Sequence, residues 1–81
     1  MTGSLSVFYL WDVDYVHPSY GRGLTTLSVI TRRRRLGDAI EQAAQVVQSV
    51  PDEQGKTYPF PRHEVIAVRF AGTLRYFDEA V

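Results

Sequence analysis

Between residues 5 and 16 every odd position is apolar or aromatic, and this alternation restricts the fold more than any other feature of the sequence. A period of two places these side chains on one face of a β-strand. Phe8 and Leu10 lie on the second face, which indicates that this face is partly covered near the start of the strand. The segment is therefore predicted to be a strand with one buried face, and the rest of the chain must cover that face. The odd positions are Leu5, Val7, Tyr9, Trp11, Val13 and Tyr15.

A second strand is predicted over residues 24–31, after a loop at 17–23 that is rich in turn-forming residues. Pro18, Gly21 and Gly23 interrupt that loop, and glycine permits the positive φ angles that tight turns use. A strand, a glycine-containing loop and a strand in this order predict an antiparallel hairpin.

From Leu36 the apolar period changes from two residues to that of an α-helix. The apolar positions step by four, three, four and three residues, and they predict an amphipathic helix from about Arg34 to Ser49. Pro51 ends the helix, because the residue before a proline avoids the helical conformation. The stripe consists of Leu36, Ile40, Ala43, Val47 and Val50.

The last third of the chain is predicted to hold a long loop and two more strands. Residues 51–63 contain three prolines, which favours a segment extended along the surface, and loops of this length are often functional or mobile. Strands are predicted at 64–70 and 73–77, joined by a tight turn at Ala71-Gly72. Residues 73–77 are the candidate for a pairing edge strand.

The order β-β-α-β-β predicts an α+β fold, in which one helix packs across an antiparallel sheet of about four strands. A chain of 81 residues supports a single small domain, residues 1–81. At this length folding buries roughly 60 % of the unfolded surface in one modest core.

The composition excludes several classes of protein. The chain has no cysteine, so it forms neither disulfides nor cysteine-based zinc sites. It shows no signal peptide and no apolar run long enough to span a membrane, and a cytoplasmic location is expected, in the host cell if the gene is carried by a phage. Nine basic and nine acidic residues give zero net charge, which argues against strong nonspecific binding of nucleic acid.

Four consecutive arginines, Arg32–Arg35, form the most unusual feature of the sequence, and we call them the arginine segment. They stand where the second strand gives way to the helix. A helix N-terminus carries partial positive charge and favours acidic side chains, so four cations are unfavourable there. Free amide N–H groups and guanidinium groups would attract an anion. The segment is therefore either a contact for phosphates or an acidic protein surface, or a solvated turn whose arginine stems cover the core edge.

Aromatic and arginine residues in the two long loops have the composition of a protein-binding hot spot. The alternative is that Tyr58 and Phe60 fold back over the open end of the core. The predicted partner-binding residues are Arg32, Arg33, Arg34, Arg35, Arg22, Tyr20, Tyr58, Phe60 and Arg62.

Residues with catalytic or metal-binding chemistry are sparse. Asp12 and Asp14 share one face of the first strand, and the favoured interpretation is a solvent-facing strand edge whose carboxylates pair across the sheet with Arg32 or Arg75. Two carboxylates without further ligands are weak evidence for a metal site. His17 and His63 lie in loops, and no nucleophile elbow or phosphate loop accompanies them. We therefore predict no enzymatic activity, no catalytic residue, no metal and no cofactor.

The run from Val29 through the helix start at Leu36-Gly-Asp-Ala-Ile-Glu-Gln-Ala resembles the strand-to-helix entry of many sheet-plus-helix domains. In size and element order, over most of the chain, the protein resembles small inhibitors from phages and mobile elements, of the anti-CRISPR type. That resemblance implies a non-enzymatic protein that occludes a surface of a larger protein or ribonucleoprotein complex. Two alternatives stay open: a small nucleic-acid-binding protein that uses the arginine segment, and a homodimeric structural or assembly subunit.

Overall fold

The computed structural model describes residues 3–17 and 23–79, and the side chains of residues 5–17 and 23–77. Three strands form one antiparallel sheet in the order β2-β1-β3, and one helix packs across a face of that sheet. The predicted α+β class is confirmed. The elements are β1 (Gly3–Val16), β2 (Leu24–Thr31), α1 (Leu36–Ser49), a short 3-10 helix (Arg62–Glu64) and β3 (Val65–Glu79).

The prediction of four strands is wrong, because residues 64–70 and 73–77 belong to one continuous strand. Ala71-Gly72 is not a turn: Leu10 pairs with Gly72 and Trp11 pairs with Phe70, so Ala71 is an extra residue in a β-bulge. β1 is 14 residues long and pairs with β3 from Gly3 opposite Glu79 to Tyr15 opposite Val65. β3 therefore continues past Gly72 as one strand, without a reversal of the chain.

The predicted hairpin between β1 and β2 is present. Its register runs from Tyr9 opposite Thr31 to Val16 opposite Leu24, and beyond the strands the His17 backbone N–H donates to the Gly23 carbonyl at 3.2 Å. This register places Trp11 and Val29 on one face of the sheet, where both are buried.

The helix packs on the sheet through small side chains. The buried residues of α1 are Ala39, Ala43, Ala44 and Val47, whereas Leu36 and Val50, at the two ends of the predicted stripe, are exposed. Leu36 and Val50 occupy the two ends of α1, where the helix is not covered. Small residues in the middle let the helix approach the sheet closely. The core consists of Trp11, Val13, Tyr15, Val29, Ala39, Ala43, Ala44, Val47 and Phe60.

Beyond β2, the strands β1 and β3 continue as a two-stranded ribbon, which we call the arm (residues 3–8 and 74–79). Leu5 pairs with Phe77 and Phe8 with Leu74, while β2 reaches no further than Tyr9. The described chain extends 52 Å along its longest axis against 26 and 15 Å along the others. The arm carries exposed Leu5, Leu74, Tyr76 and Phe77.

The long loop is organised around Asp52. The carboxylate of Asp52 accepts hydrogen bonds from the backbone N–H groups of Gln54 and Lys56, both at 2.9 Å, and from the Tyr58 hydroxyl at 3.1 Å. These bonds, the one from Lys56 foremost, hold the pKa of Asp52 below its ordinary value. Gly55 turns the chain with a φ of +80°, which glycine adopts without strain.

After this turn the loop stays largely on the surface, as predicted, except at Phe60. Phe60 enters the core with only 6 % of its surface exposed, and its ring lies 5.3 Å from that of Tyr15. The alternative in which the loop folds back over the core therefore holds for Phe60. Burial of this large aromatic side chain offsets part of the entropy lost in ordering the loop, and the hydrogen bonds to Asp52 contribute a further part.

Candidate protein interface

The corner between β2 and α1 is held by two successive hydrogen bonds. The Trp11 indole Nε1 donates to Thr31 Oγ1 at 2.8 Å, and Thr31 Oγ1 donates to the Arg33 carbonyl at 2.7 Å. Both Trp11 and Thr31 are buried. The backbone of the arginine segment is thereby tied to the core, although its side chains are exposed.

Replacement of Thr31 by valine is expected to lower the free energy of unfolding by about 1–3 kcal/mol, because it leaves the buried indole N–H without an acceptor. Urea unfolding followed by circular dichroism measures the change. Thr25→Val is the matched control, since Thr25 lies on the same face of β2 and is only half-buried. The control should stay within about 0.5 kcal/mol of the wild type. Equal losses in the two variants would contradict the role given to Thr31.

The four side chains of the arginine segment separate rather than forming one patch. Arg33 binds Asp38 in the first turn of α1, with Nε to Oδ2 at 2.9 Å. Arg35 occupies the position before the helix with no side-chain cap, and its carbonyl accepts the N–H groups of Asp38 and Ala39. Asp38 thus compensates locally for the charge of Arg33 and for the partial positive charge of this helix end.

Arg32 and Arg34 each lie over an aromatic ring. The guanidinium carbon of Arg34 is 4.2 Å from the centre of the Phe70 ring, and that of Arg32 is 5.3 Å from the Phe8 ring. Phe8 and Phe70 belong to opposite faces of the sheet, because Phe70 pairs with Trp11, three residues along β1 from Phe8. Arg32 and Arg34 therefore contact the base of the arm from opposite faces of the sheet. We call these two arginines, together with Phe8 and Phe70, the arginine clasp.

Phe70 connects the clasp to the core. Its ring packs edge-on against Trp11 at 5.3 Å and lies 6.3 Å from Tyr9. Sequence reasoning assigned Phe70 to a strand but not to a site. The position of Phe70 beneath Arg34 depends on the bulge at Ala71, which no sequence pattern predicts.

The remaining predicted partner-binding residues lie elsewhere. Arg62 binds Glu41 of α1 through two contacts of 2.9 and 3.0 Å, one helical turn from Asp38, and so comes near the arginine segment. Tyr58 is half-buried, near Val47 and Val50 in the last turn of α1. The 14 residues of α1 separate it from the clasp by about 20 Å. Tyr20 and Arg22 lie outside the described residues.

Asp14 pairs with Arg69 of β3, and neither Arg32 nor Arg75 is its partner, so the predicted pairing is corrected. Thr26 donates to Asp14 at 2.7 Å, and Asp12 accepts from Ser28 at 3.0 Å. The hydrogen bond from Arg69, and to a smaller extent that from Thr26, holds the pKa of Asp14 below its ordinary value. The hydrogen bond between Arg69 and Asp14 also raises the pKa of Arg69. The Asp14 carboxylate thus links β1 to both of its neighbouring strands, β2 and β3.

Across residues 3–17 and 23–79, no three His, Cys, Asp or Glu side chains come together as a metal site. The helix α1 is neither long nor apolar enough to cross a membrane. His17 contacts the rings of Tyr15 and Tyr58, at 6.0 and 5.3 Å between centroids.

No protein-family model, curated protein or solved structure matches this chain. The geometry defines a small α+β domain with a projecting arm and an arginine clasp at the base of that arm. Its function must be inferred from these features.

Proposed function

We propose that this chain is a non-enzymatic protein-binding module that occludes a surface of a larger complex, with the arginine clasp as its contact surface. The observation that carries the proposal is the preordered pair of guanidinium groups. Each lies over a ring, each is exposed, and within the described residues neither Arg32 nor Arg34 pairs with a carboxylate. A stacked guanidinium keeps its edge N–H groups free to donate, with little entropy left to lose on binding.

The partner surface that suits the clasp is an acidic protein surface with carboxylates. Arginine and aromatic side chains dominate binding hot spots, and a guanidinium binds a carboxylate through two parallel hydrogen bonds. A shallow groove beside Arg32 is bordered by Phe8, Ile30, Gln42 and Gln45, and also by Asp38 and Glu41. Because those two carboxylates bind Arg33 and Arg62, the groove offers room for an uncharged side chain of the partner beside the contact with Arg32. Zero net charge favours such local recognition over binding to a polyanion.

The class of protein we propose is the mobile-element inhibitor of the anti-CRISPR type, acting on a nucleic-acid-handling protein or ribonucleoprotein complex in the cytoplasm. Small size and preformed contacts support it, because occlusion requires only complementarity and a few anchors. A chain without cysteine does not depend on an oxidising compartment.

Capture of partners from a lysate of the native cell, with and without nuclease, tests the proposal. The wild-type chain is expected to retain a protein partner after nuclease treatment, and the double variant Arg32→Ala/Arg34→Ala is expected to bind it at least tenfold more weakly. Affinity for the captured partner is then measured by titration.

The matched control is Arg33→Ala/Lys56→Ala, which also removes two positive charges but leaves the clasp intact. The control should bind within about threefold of the wild type, since exposed, compensated charges contribute little. Equal binding by the clasp variant and the wild type would refute the site. Circular dichroism verifies that both variants are folded.

Direct binding of nucleic acid is the second candidate function. It is favoured by three guanidinium groups, those of Arg32, Arg34 and Arg35, that have no acidic partner among the described residues. Affinity would then fall steeply as salt rises, because each neutralised phosphate releases counterions. Recovery that collapses after nuclease supports this candidate, and a flat salt dependence counts against it.

A further inference from the structure

The outer edge of β3 is a long row of backbone groups that no strand of the described chain pairs. β3 has 15 residues and stands at the edge of the sheet, with β1 as its neighbour. Edge strands are usually protected by proline, lysine, bulges or short length. The bulges of β3 fall at the body of the domain, and residues 73–77 contain neither proline nor lysine.

The arm has only two strands, whereas the rest of the sheet has three. Isolated two-stranded ribbons are marginally stable in water, and a third strand is normally required. Both faces of the arm expose large apolar side chains, with Leu5 and Phe77 on one face and Leu74 and Tyr76 on the other. Addition of strands along β3 would satisfy the free backbone groups and would give Leu74, Tyr76 and Phe77 cross-strand neighbours on their outer side.

We propose that the arm pairs along its β3 edge with the arm of a second copy of this chain. The two β3 strands run antiparallel, and Tyr76 lies opposite Tyr76 of the second copy. The result is a six-stranded sheet in the order β2-β1-β3-β3-β1-β2, with the two helices on the same face. This surface is separate from the arginine clasp, so the two proposals can fail independently.

The length of the ladder and the pairing of Arg75 with Phe77 together select a second copy as the occupant and Tyr76 as the centre. With a two-fold axis at Tyr76, Arg75 of each copy lies opposite Phe77 of the other, which gives two cation–π pairs over a ladder spanning residues 73–79. An axis at Arg75 would place two arginines opposite each other. An axis at Leu74 would carry the ladder into the bulge, and an axis at Phe77 would shorten it by two residues.

Single cysteines test this register, because the natural chain has none. Tyr76→Cys should form a disulfide-linked dimer under mild oxidation, since opposite Cα atoms are about 4.5–5.5 Å apart, within the range for disulfides. Leu74→Cys is the matched control on the same face. Its two sulfurs would be about 13 Å apart along the strands and should not join. No cross-linking of Tyr76→Cys, or equal cross-linking of both variants on a non-reducing gel, would overturn the proposal.

Sedimentation equilibrium supplies a second, chemically independent measurement. In Phe77→Lys, the lysine of each copy lies opposite Arg75 of the other, and this repulsion should weaken dimerisation about tenfold or more. In Phe77→Glu an opposite charge faces Arg75, and the dimer should be preserved. Ile66→Lys is the control, because Ile66 is 64 % exposed, close to the 63 % of Phe77, and lies outside the ladder. A wild-type chain that is monomeric up to about 1 mM would refute the proposal. Loss of dimerisation in all three variants would also refute it.

Discussion

Trp11→Ala is expected to lower the free energy of unfolding by about 3–5 kcal/mol. Only 6 % of the Trp11 side chain is exposed, and it joins three parts of the molecule. It fills the centre of the core, supports the Phe70 ring, and donates its indole N–H to Thr31. The variant loses buried apolar area and leaves a cavity. It also removes the hydrogen bond from Trp11 to Thr31, the first of the two bonds that hold the backbone of the arginine segment to the core.

Urea unfolding followed by far-ultraviolet circular dichroism is the appropriate measurement, because Trp11 is the only tryptophan and its removal abolishes the natural fluorescence signal. A domain of this size has a total stability of about 4–12 kcal/mol, so the variant will be partly unfolded if the wild type is at the low end. Trp11→Phe keeps a ring but loses the indole N–H, so its free energy of unfolding should lie between those of the wild type and Trp11→Ala. A loss below about 1 kcal/mol in Trp11→Ala would contradict the burial of this side chain.

Phe60→Ala is expected to cost about 3–5 kcal/mol as well, although Phe60 lies in a loop. Its ring is buried against Tyr15, and no other aromatic side chain of the loop joins the core. The loss distinguishes the two interpretations of this residue: a partner-binding side chain on the surface could be truncated with little effect on stability.

Phe77→Ala is the control for this experiment, because it makes the same substitution at a side chain that is 63 % exposed. Measured at concentrations where the chain is monomeric, it should change stability by no more than about 0.5 kcal/mol. Similar values for Phe60→Ala and Phe77→Ala would mean that the loop is not anchored in the core.

Local patterns predicted the elements that depend on neighbouring residues. Alternation located β1, the turn-forming residues separated it from β2, and the four-three spacing with Pro51 located α1 almost to the residue. These predictions hold because the period of a strand or helix is a property of its own backbone. The prediction of the buried helix face was less accurate. Leu36 and Val50 match the helical period, but Leu36 is the first residue of α1, Val50 directly follows the last, and both side chains are exposed.

The candidate site depended on contacts between distant residues. The arginine segment was visible in the sequence, yet the separation of its side chains toward Phe8, Asp38 and Phe70 was not. Likewise Asp14 was recognised as a paired carboxylate, but its partner Arg69 is 55 residues away. Register determines such contacts, and one bulged residue changes which side chains face each other.

The sequence by itself determined the α+β class, the hairpin, the single helix and the position of the unusual charge, because periodicity and turn chemistry are local. Only the tertiary structure decided that two predicted strands are one, that Phe60 is core, and that a two-stranded arm extends beyond β2. The physical reason is the length of β1: a 14-residue strand lets β3 run past Gly72 without turning, and the pairing energy over that length outweighs the local preference of Ala71-Gly72 for a turn.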